Sequence, residues 1–526
     1  MLKRVRQFCC RLNNKKGFSV SKKYIIAFTA ALGLFMAVLD DTVVNVALSK
    51  MSAAFHTDLN TVKWVSTAYL LVQAAVIPAA GYLGSRFGMK RMYLGFLALF
   101  TVGSLLCGLS DVITDPNGQP YIALLIAARI IQGVGAGALF PLGSTIALGN
   151  FAPEERAKAS GIVAGPVLIA PILGPLLGGW LTDNLGWQSI FFINLPVGLV
   201  AMLLVWRIFP AEMNRKAEGR SAFDYIGLAL VMVGTVTIIY GFNLVSESKP
   251  DSVSLQHPDG EVYGWGYWPV WALIGAGLIL FVSFVIWELR QRDPVMDVRL
   301  FKDYNFAVSN VISWFNAVVV FGSLLLLPVF FQQVRLPPLN ATESGLAQVP
   351  QGLGSLVGVL LGSSLYNRLG PRWQVVLGLA LLAISTFFNS SLTTGTNWYD
   401  LSFWLFLRGV GFSLTFVPIQ TLSVFNLTGE ALAKASSLFG VSRQIFSSVG
   451  TAIVITVFTQ QTASHYAPVT GTPQQVRAAF AQAQTTGVND VFMIITIGTI
   501  IVLLLSSILL PGKKRTSERS LEKVVS

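Results

Sequence analysis

The chain has 526 residues, 53% of them hydrophobic and 12% charged, against roughly 25% charged in a typical soluble domain. Too few polar groups are present to clothe a water-soluble surface of this size, which excludes a soluble multidomain protein, a disordered chain and a coiled coil. A net charge of +12 raises the question of nucleic acid, and three cysteines, Cys9, Cys10 and Cys107, are too few and too poorly spaced for a disulfide framework.

Residues 1–23 carry eight Lys or Arg and no acid. They lack a small-residue cleavage site after a short apolar core, so they read as a cytoplasmic orienting tail and not a signal peptide. Cys9 and Cys10 in this tail are candidate acylation sites, although incidental cysteines account for them as well. Fourteen continuous apolar stretches follow, each long enough for a helix to cross about 30 Å of hydrocarbon. They lie near 25–48, 61–84, 92–110, 121–143, 157–183, 188–209, 224–245, 268–287, 306–331, 344–366, 373–391, 399–424, 432–459 and 489–510. Continuous runs predict helices and exclude an alternating barrel pattern. The domain reading is a tail at 1–23, a six-helix bundle at 24–210 and two linking helices with loops at 211–300. A second six-helix bundle at 301–511 and a cytoplasmic tail at 512–526 complete it.

With the N-terminus inside, nearly every Lys and Arg falls on the cytoplasmic side. Lys50, Lys63, Lys249, Arg335 and Arg477 fall outside, and Arg129, Arg408 and Arg443 fall within spans. The basic excess therefore records topology, its partner is the lipid bilayer, and nucleic acid is not needed to explain it. The polar stretch at 460–488 reads as a long external loop that connects the last two spans or docks a partner.

An internal repeat supports two bundles. Positions 133–141 read GVGAGALFP and 409–418 read GVGFSLTFVP, while AKAS occurs at 157–160 and again at 433–436, and both matches have the same offset. Arg86-Phe87-Gly88 and Arg368-Leu369-Gly370 form a third pair, whose extra separation fits the polar insert around Asp115-Pro116-Asn117-Gly118. Parallel repeats of this kind imply two bundles rocking about a central site.

Ionisable residues inside spans normally face a cavity or a partner, because each costs several kcal/mol in hydrocarbon. Here they are Asp40, Asp41, Arg129, Arg408 and Arg443. Burial raises a carboxyl pKa and a nearby arginine lowers it, so an acid that meets arginine in only one conformation binds and releases a proton. A permanent bridge between helices is the structural alternative. On a helix Asp41 shares a stripe with Asn45 and Ser49, while Asp40 points about 100° away toward Met36, Val44 and Ala47. Periodicity thus favours Asp41 as the cavity residue. Gln73, Trp314, Phe315, Phe330, Phe331, Gln332 and Phe412 are candidates for a wide, aromatic lining suited to large apolar or cationic compounds. Arg443, beside Gln444, is a candidate contact for an acidic or polar substrate.

Leu39-Asp40-Asp41-Thr42-Val43-Val44-Asn45-Val46-Ala47-Leu48 resembles the first-helix motif of the fourteen-helix drug:proton antiporters of the major facilitator superfamily. In that pattern the signature acid is Asp40, against the periodicity, and both acids stand as candidates. Ser49 occupies the place of a usual proline. The run from Gly81 through Arg86, Gly88, Lys90 and Arg91 resembles the loop motif between helices two and three, with Ser85 where the family has an acid, and Asn367 at the repeat-related place. Leu125 to Gly137, with Arg129, Gln132 and Gly133, resembles the fourth-helix motif. Gly165-Pro166, Pro171 and Gly174-Pro175-Leu176-Leu177-Gly178-Gly179 resemble the fifth-helix antiporter motif, and Trp187 to Gly198, with Ile193-Asn194-Leu195-Pro196, continues the likeness.

The resemblance implies an all-α polytopic membrane protein with the major facilitator fold, two six-helix bundles plus two linking helices, and both termini cytoplasmic. It implies proton-coupled efflux of amphiphilic or cationic compounds by alternating access, with Arg129 and Asp40 or Asp41 as the switch. Asn45, Gln73, Gln132, Trp314, Phe315, Gln332, Phe412 and Arg443 are then the cavity candidates, and Gly81, Arg86, Gly88, Lys90, Arg91, Gly174, Pro175, Gly178 and Gly179 the conformational ones. The partners are a small amphiphile, protons, the inner or plasma membrane and, in a Gram-negative source, a periplasmic adaptor protein. No cofactor is expected. The chain has no phosphate-binding Gly-x-x-x-x-Gly-Lys loop, and His56, His257 and His465 are too far apart for a metal. Export of a lipid, fatty acid or siderophore is the close rival, and a non-transporting receptor or scaffold the rival of a different class.

Overall fold

The computed structural model describes residues 21–57, 59–114, 120–214, 223–247, 249, 262–324, 326–467 and 472–511. The basic tail through residue 20 with Cys9 and Cys10, the insert at 115–118, His257 and the tail at 512–526 lie outside the described residues, as do the side chains of Ser49 and Asn367.

The described chain is almost wholly helical. In order, α1 spans Lys22–Ala54, α2 Leu59–Phe87, α3 Met89–Gly108, α4 Ile122–Gly149, α5 Arg156–Leu185 and α6 Asn194–Ile208. The pair α7, Tyr225–Val245, and α8, Trp268–Glu288, follows. Then come α9 at Tyr304–Leu324, α10 at Ala341–Phe388, α11 at Trp398–Ser423, α12 at Gly429–His465 and α13 at Pro473–Leu509. Among the described residues 12 helical segments are long and apolar enough to cross a membrane, or 13 when the bent α5 is taken as one span, and α9 holds a shorter apolar stretch. Outward-facing Trp268, Leu360, Ile279 and Ile508 give these helices the apolar surface that lipid requires.

The repeat in the sequence becomes a repeat in the backbone. Gly88 has φ +100° where α2 turns into α3, and Gly370 has φ +78° where the 48-residue α10 folds into two arms. Both are left-handed conformations that glycine adopts without strain, so each copy reverses direction within one residue. Gly135 lets α4 approach the backbone of α3 at Phe100, and Gly411 lets α11 approach the second arm of α10 at Gly378 and Leu382.

One end of the molecule is basic. Lys23, at the start of α1, pairs with Glu155 at 2.5 Å, and the Leu510 carbonyl after α13 accepts from Arg372 at 2.6 Å. The first described helix therefore begins and the last ends at the side that carries Arg86, Lys90, Arg91 and Arg156. The linking pair lies against both bundles: Tyr240 of α7 meets Trp64 of α2, and Trp265 before α8 donates to Thr456 of α12 at 2.8 Å.

The sequence reading of 460–488 as a loop differs from the structure, in which residues 460–465 and 473–488 are helical. α12 runs to His465 and α13 begins at Pro473, where Thr472 and Gln475 form a reciprocal capping box. The Ala- and Gln-rich turns after it are good helix formers that need no lipid. His465 and Asp490, 2.7 Å apart, and Tyr466 on Phe480 fasten the two extensions together.

Candidate functional site

The two adjacent acids of α1 occupy different surroundings. Asp40 is buried within the first bundle. One carboxylate oxygen pairs with Arg129 of α4, and the other accepts from Gln132 at 2.8 Å and from Asn194 of α6 at 2.9 Å. Arg129 also donates to the Val65 carbonyl at 3.1 Å and to Gln132 at 2.8 Å, and its guanidinium lies 3.9 Å from the centre of the Tyr69 ring. Asn194 reaches on to Ser104 at 3.0 Å, and Ser104 donates to the Phe191 carbonyl. A buried ion pair braced by three donors to its carboxylate is a stiff unit.

Asp41 lies one helical position on and faces the other way. It lines a central cavity of about 210 Å³ that is bounded by α1, α2, α4 and α5 from the first bundle and by α10, α11 and α12 from the second. Gln73 lines the same wall, and the buried Oδ1 of Asp41 has no hydrogen-bond partner among the described residues. Across the cavity stands Arg443 of α12, with its guanidinium 4.6 Å from the centre of Phe140 and 5.4 Å from that of Phe416. Phe412, Gln348, Gln351, Gln444 and Ser447 complete that side.

Of the cavity candidates read from the sequence, the structure places Gln73, Phe412 and Arg443 on this lining together with Asp41. Asn45, one turn from Asp41, is exposed and accepts from Ser66 at 3.2 Å. Gln132 belongs to the Asp40 network. Trp314 stacks on Phe446 at 4.9 Å, Phe315 points outward at 47% exposure, and exposed Gln332 donates to Ser344 at 3.2 Å. Phe330 and Phe331 are fully buried in a separate core with Leu405 and Phe492. The sequence reading missed Asn194 and Tyr69 around Asp40, and Phe140, Phe416, Gln348 and Gln351 around the cavity. The amides carried a usable signal, since a glutamine within an apolar span asks for a polar neighbour.

The motif glycines and cations hold the helices and the two bundles in register. The Gly81 amide donates to Ser437 of α12 at 2.9 Å, and a Cβ at Gly81 would stand 2.6 Å from that oxygen. Lys90 donates to the carbonyls of Trp206 and Phe209 at the end of α6, 2.7 Å to each. Arg86 donates to the Tyr82 hydroxyl at 3.0 Å, and Arg91 is exposed. Ser85 donates to its own helix at Tyr82. Gly174 and Gly178 bring α5 onto Thr42 and Val43 of α1, while Pro175 and Gly179 meet Gly345 and Thr342 of α10. At the basic end Arg156 donates to the carbonyls of Val424 and Phe425, and Thr421 to Ser160 at 2.8 Å. The two bundles are thus closed against each other there. A space of about 650 Å³ at this end, between Ser85, Asn150, Glu212 and Glu430, borders none of the in-span charges.

Comparison with known proteins bears on this geometry. The Major Facilitator Superfamily profile matches residues 30–451. The chain is 34% identical over 440 residues to the multidrug resistance protein B homolog of Mycobacterium tuberculosis, covering 83% of this chain and 76% of that one. It is 31% identical over 451 residues to the multidrug export protein EmrB of Haemophilus influenzae, covering 85% and 83%. A crystal structure of a double-tryptophan variant of XylE superposes with a TM-score of 0.61 at 14% identity, over 94% of this chain and 97% of that one, and shows the fold alone.

Proposed function

The chain belongs to the Major Facilitator Superfamily, and from that premise we propose that it exports amphiphilic compounds across the plasma membrane in exchange for protons. It is a multi-pass membrane transporter homologous to multidrug export proteins. The proposal adds fourteen crossings with both ends of the chain cytoplasmic. Support comes from α1 beginning and α13 ending at the same, basic end, which requires an even number of crossings. In a Gram-negative envelope a periplasmic adaptor would receive the substrate.

One observation carries the coupling: the Asp41 carboxyl lies on the wall where the two bundles meet, with an oxygen that no other group among the described residues engages. A proton arriving from outside and the basic group of a substrate compete for that carboxylate. Protonation at the outer face releases the substrate, and loss of the proton at the inner face readies the site for the next one. Asp40, held by Arg129, Gln132 and Asn194, keeps α1 in the orientation that presents Asp41.

Dye efflux driven by a pH gradient in everted vesicles tests this reading. Asp41→Asn is expected to abolish proton-driven efflux, and Asp40→Asn to retain it in whatever fraction of the protein folds. Proton-driven efflux that survives Asp41→Asn removes the coupling assignment.

A further inference from the structure

The second bundle brings a polar stripe to the central cavity. Gln348, Gln351 and Ser355 follow one another at intervals of three and four residues along the first arm of α10, so they share one helix face, and all three line the chamber that Asp41 lines from the first bundle. Two of them are engaged: Gln348 donates to the Ser344 carbonyl at 3.2 Å, and Ser355 to the Gly409 carbonyl at 3.4 Å. Gln351 differs. It is only 9% exposed, and its amide oxygen has no hydrogen-bond partner among the described residues. Backbone packing fixes the place from which this side chain starts. Gly409 lets α11 sit directly against the Gln351 carbonyl, with no room for a Cβ, and Ser413 donates to the Ser355 carbonyl at 2.8 Å one turn further on. A buried acceptor left unmet costs about 1–3 kcal/mol. On a cavity wall such an oxygen marks a place where a ligand or water completes the bonding.

In the export reading Asp41 takes the basic group of a substrate once it has lost its proton. The Gln351 oxygen is neutral and asks for a donor, and the rings of Phe140, Phe412 and Phe416 give the same chamber an apolar wall. A second cation would have to shed its water onto a neutral amide, whereas an uncharged hydroxyl or amine N–H has far less hydration to lose. We propose that Gln351 is a specificity-determining residue that accepts a hydrogen bond from an uncharged hydroxyl or amine N–H at the far end of an aromatic substrate, whose basic end sits on Asp41. The assignment rests on the export reading above and narrows its substrate class to cationic aromatics that carry a second, uncharged donor. Such a molecule touches both bundles at once, so it favours the state in which they meet around it. An analogue without the donor leaves the amide oxygen unmet and is discriminated against by that cost.

The test uses the full chain in proteoliposomes at a fixed pH gradient, with a fluorescent naphthol that bears a trimethylammoniomethyl group and with its methyl ether as probes. Both are permanent monocations of similar size, and they differ in one O–H. The naphthol hydroxyl, like that of tyrosine, stays protonated at neutral pH. Wild type is expected to export the naphthol about tenfold faster than the ether at limiting concentration, the size of one hydrogen bond. Gln351→Met, which keeps the length of the side chain without the acceptor, is expected to bring that ratio to about one. Gln351→Leu takes its place if Gln351→Met does not give a monodisperse peak in detergent, and the wild-type ratio decides if neither variant does. Gradient-driven export of both probes at equal rates by wild type would assign water to the amide oxygen and overturn the proposal. A wild-type preference for the ether, or a naphthol preference that survives loss of the acceptor, overturns it as well. Gradient-driven export of ethidium with no export of the naphthol removes the Gln351 assignment while leaving proton-driven efflux standing. No gradient-driven export of either probe or of ethidium removes the export reading itself.

Discussion

Replacing Arg129 by alanine strands a carboxylate. Asp40 would keep the amides of Gln132 at 2.8 Å and Asn194 at 2.9 Å but lose its only charged partner among the described residues. Breaking a buried pair from one side costs about 3–5 kcal/mol, because the surviving charge is left in a poor solvent. The lost bond to the Val65 carbonyl adds about 1 kcal/mol. Asp40→Asn errs in the opposite direction, leaving the guanidinium with Tyr69, Val65 and Gln132, and costs about 2–4 kcal/mol by the same reasoning. Asp40→Asn combined with Arg129→Met removes both charges and is expected to cost only about 1–2 kcal/mol, well below the sum of the single changes. Thermal unfolding of the purified protein in detergent, followed by tryptophan fluorescence, gives the order: Arg129→Ala least stable, the double variant close to wild type. Efflux in proteoliposomes then separates scaffold from switch. The double variant is expected to retain proton-driven export, because Asp41 is untouched. Additive losses in stability would refute the stranded-charge reasoning, and a well-folded double variant without proton-driven export would show that the Asp40 charge takes part in coupling.

Gly81→Leu would press a side chain into Ser437 and the Ala433 backbone and so prop the basic end open. Export is expected to fall at least tenfold at unchanged expression, and a cysteine at Ser437 should react faster with a maleimide supplied from the cytoplasmic side. Glu288, at the end of α8, accepts from the Val295 and Met296 amides. Glu288→Ala should therefore cost about 2–3 kcal/mol in thermal unfolding by orphaning two buried donors, and Glu288→Gln, which keeps an acceptor, under about 1 kcal/mol. Phe416→Ala removes a cavity ring that also holds Arg443 and is expected to reduce dye efflux about tenfold, while outward-facing Phe315→Ala should change it less than twofold.

Much of the architecture was legible because lipid imposes a simple rule: continuous apolar runs must be helices, and their basic flanks lie on one side. The paired glycines of the two bundles were legible for a related reason, since close helix approach leaves small residues at fixed places. The polar helical extensions before His465 and after Pro473 were not, because hydropathy separates lipid-facing from polar segments and is silent on whether a polar segment is coiled. In the site, the stripe of Asp41 and Asn45 follows from helical geometry alone. The aromatic residues do not, since a ring facing lipid and a ring facing a cavity look alike in sequence: Phe315 and Phe412 differ only in which way their helices are turned, and that is decided by packing against the other bundle.

The same geometry bears on why two acids stand side by side. A ligand or proton shifts a conformational equilibrium only through a difference in its interaction energy between the two states. The partners of Asp40, namely Arg129, Gln132 and Asn194, all come from helices of the first bundle. Rocking that bundle as a rigid body changes none of those distances, so a proton on Asp40 would be held equally in both states and could drive nothing unless the bundle itself deformed. Around Asp41 the cavity wall includes Gln348, Phe412 and Arg443 from the second bundle, and separating the bundles necessarily alters what that carboxyl meets. Of the two adjacent positions, the one at the seam is the one whose charge state a rigid-body motion can sense, while its neighbour, turned about 100° into a single bundle, is placed to fix the helix that carries it.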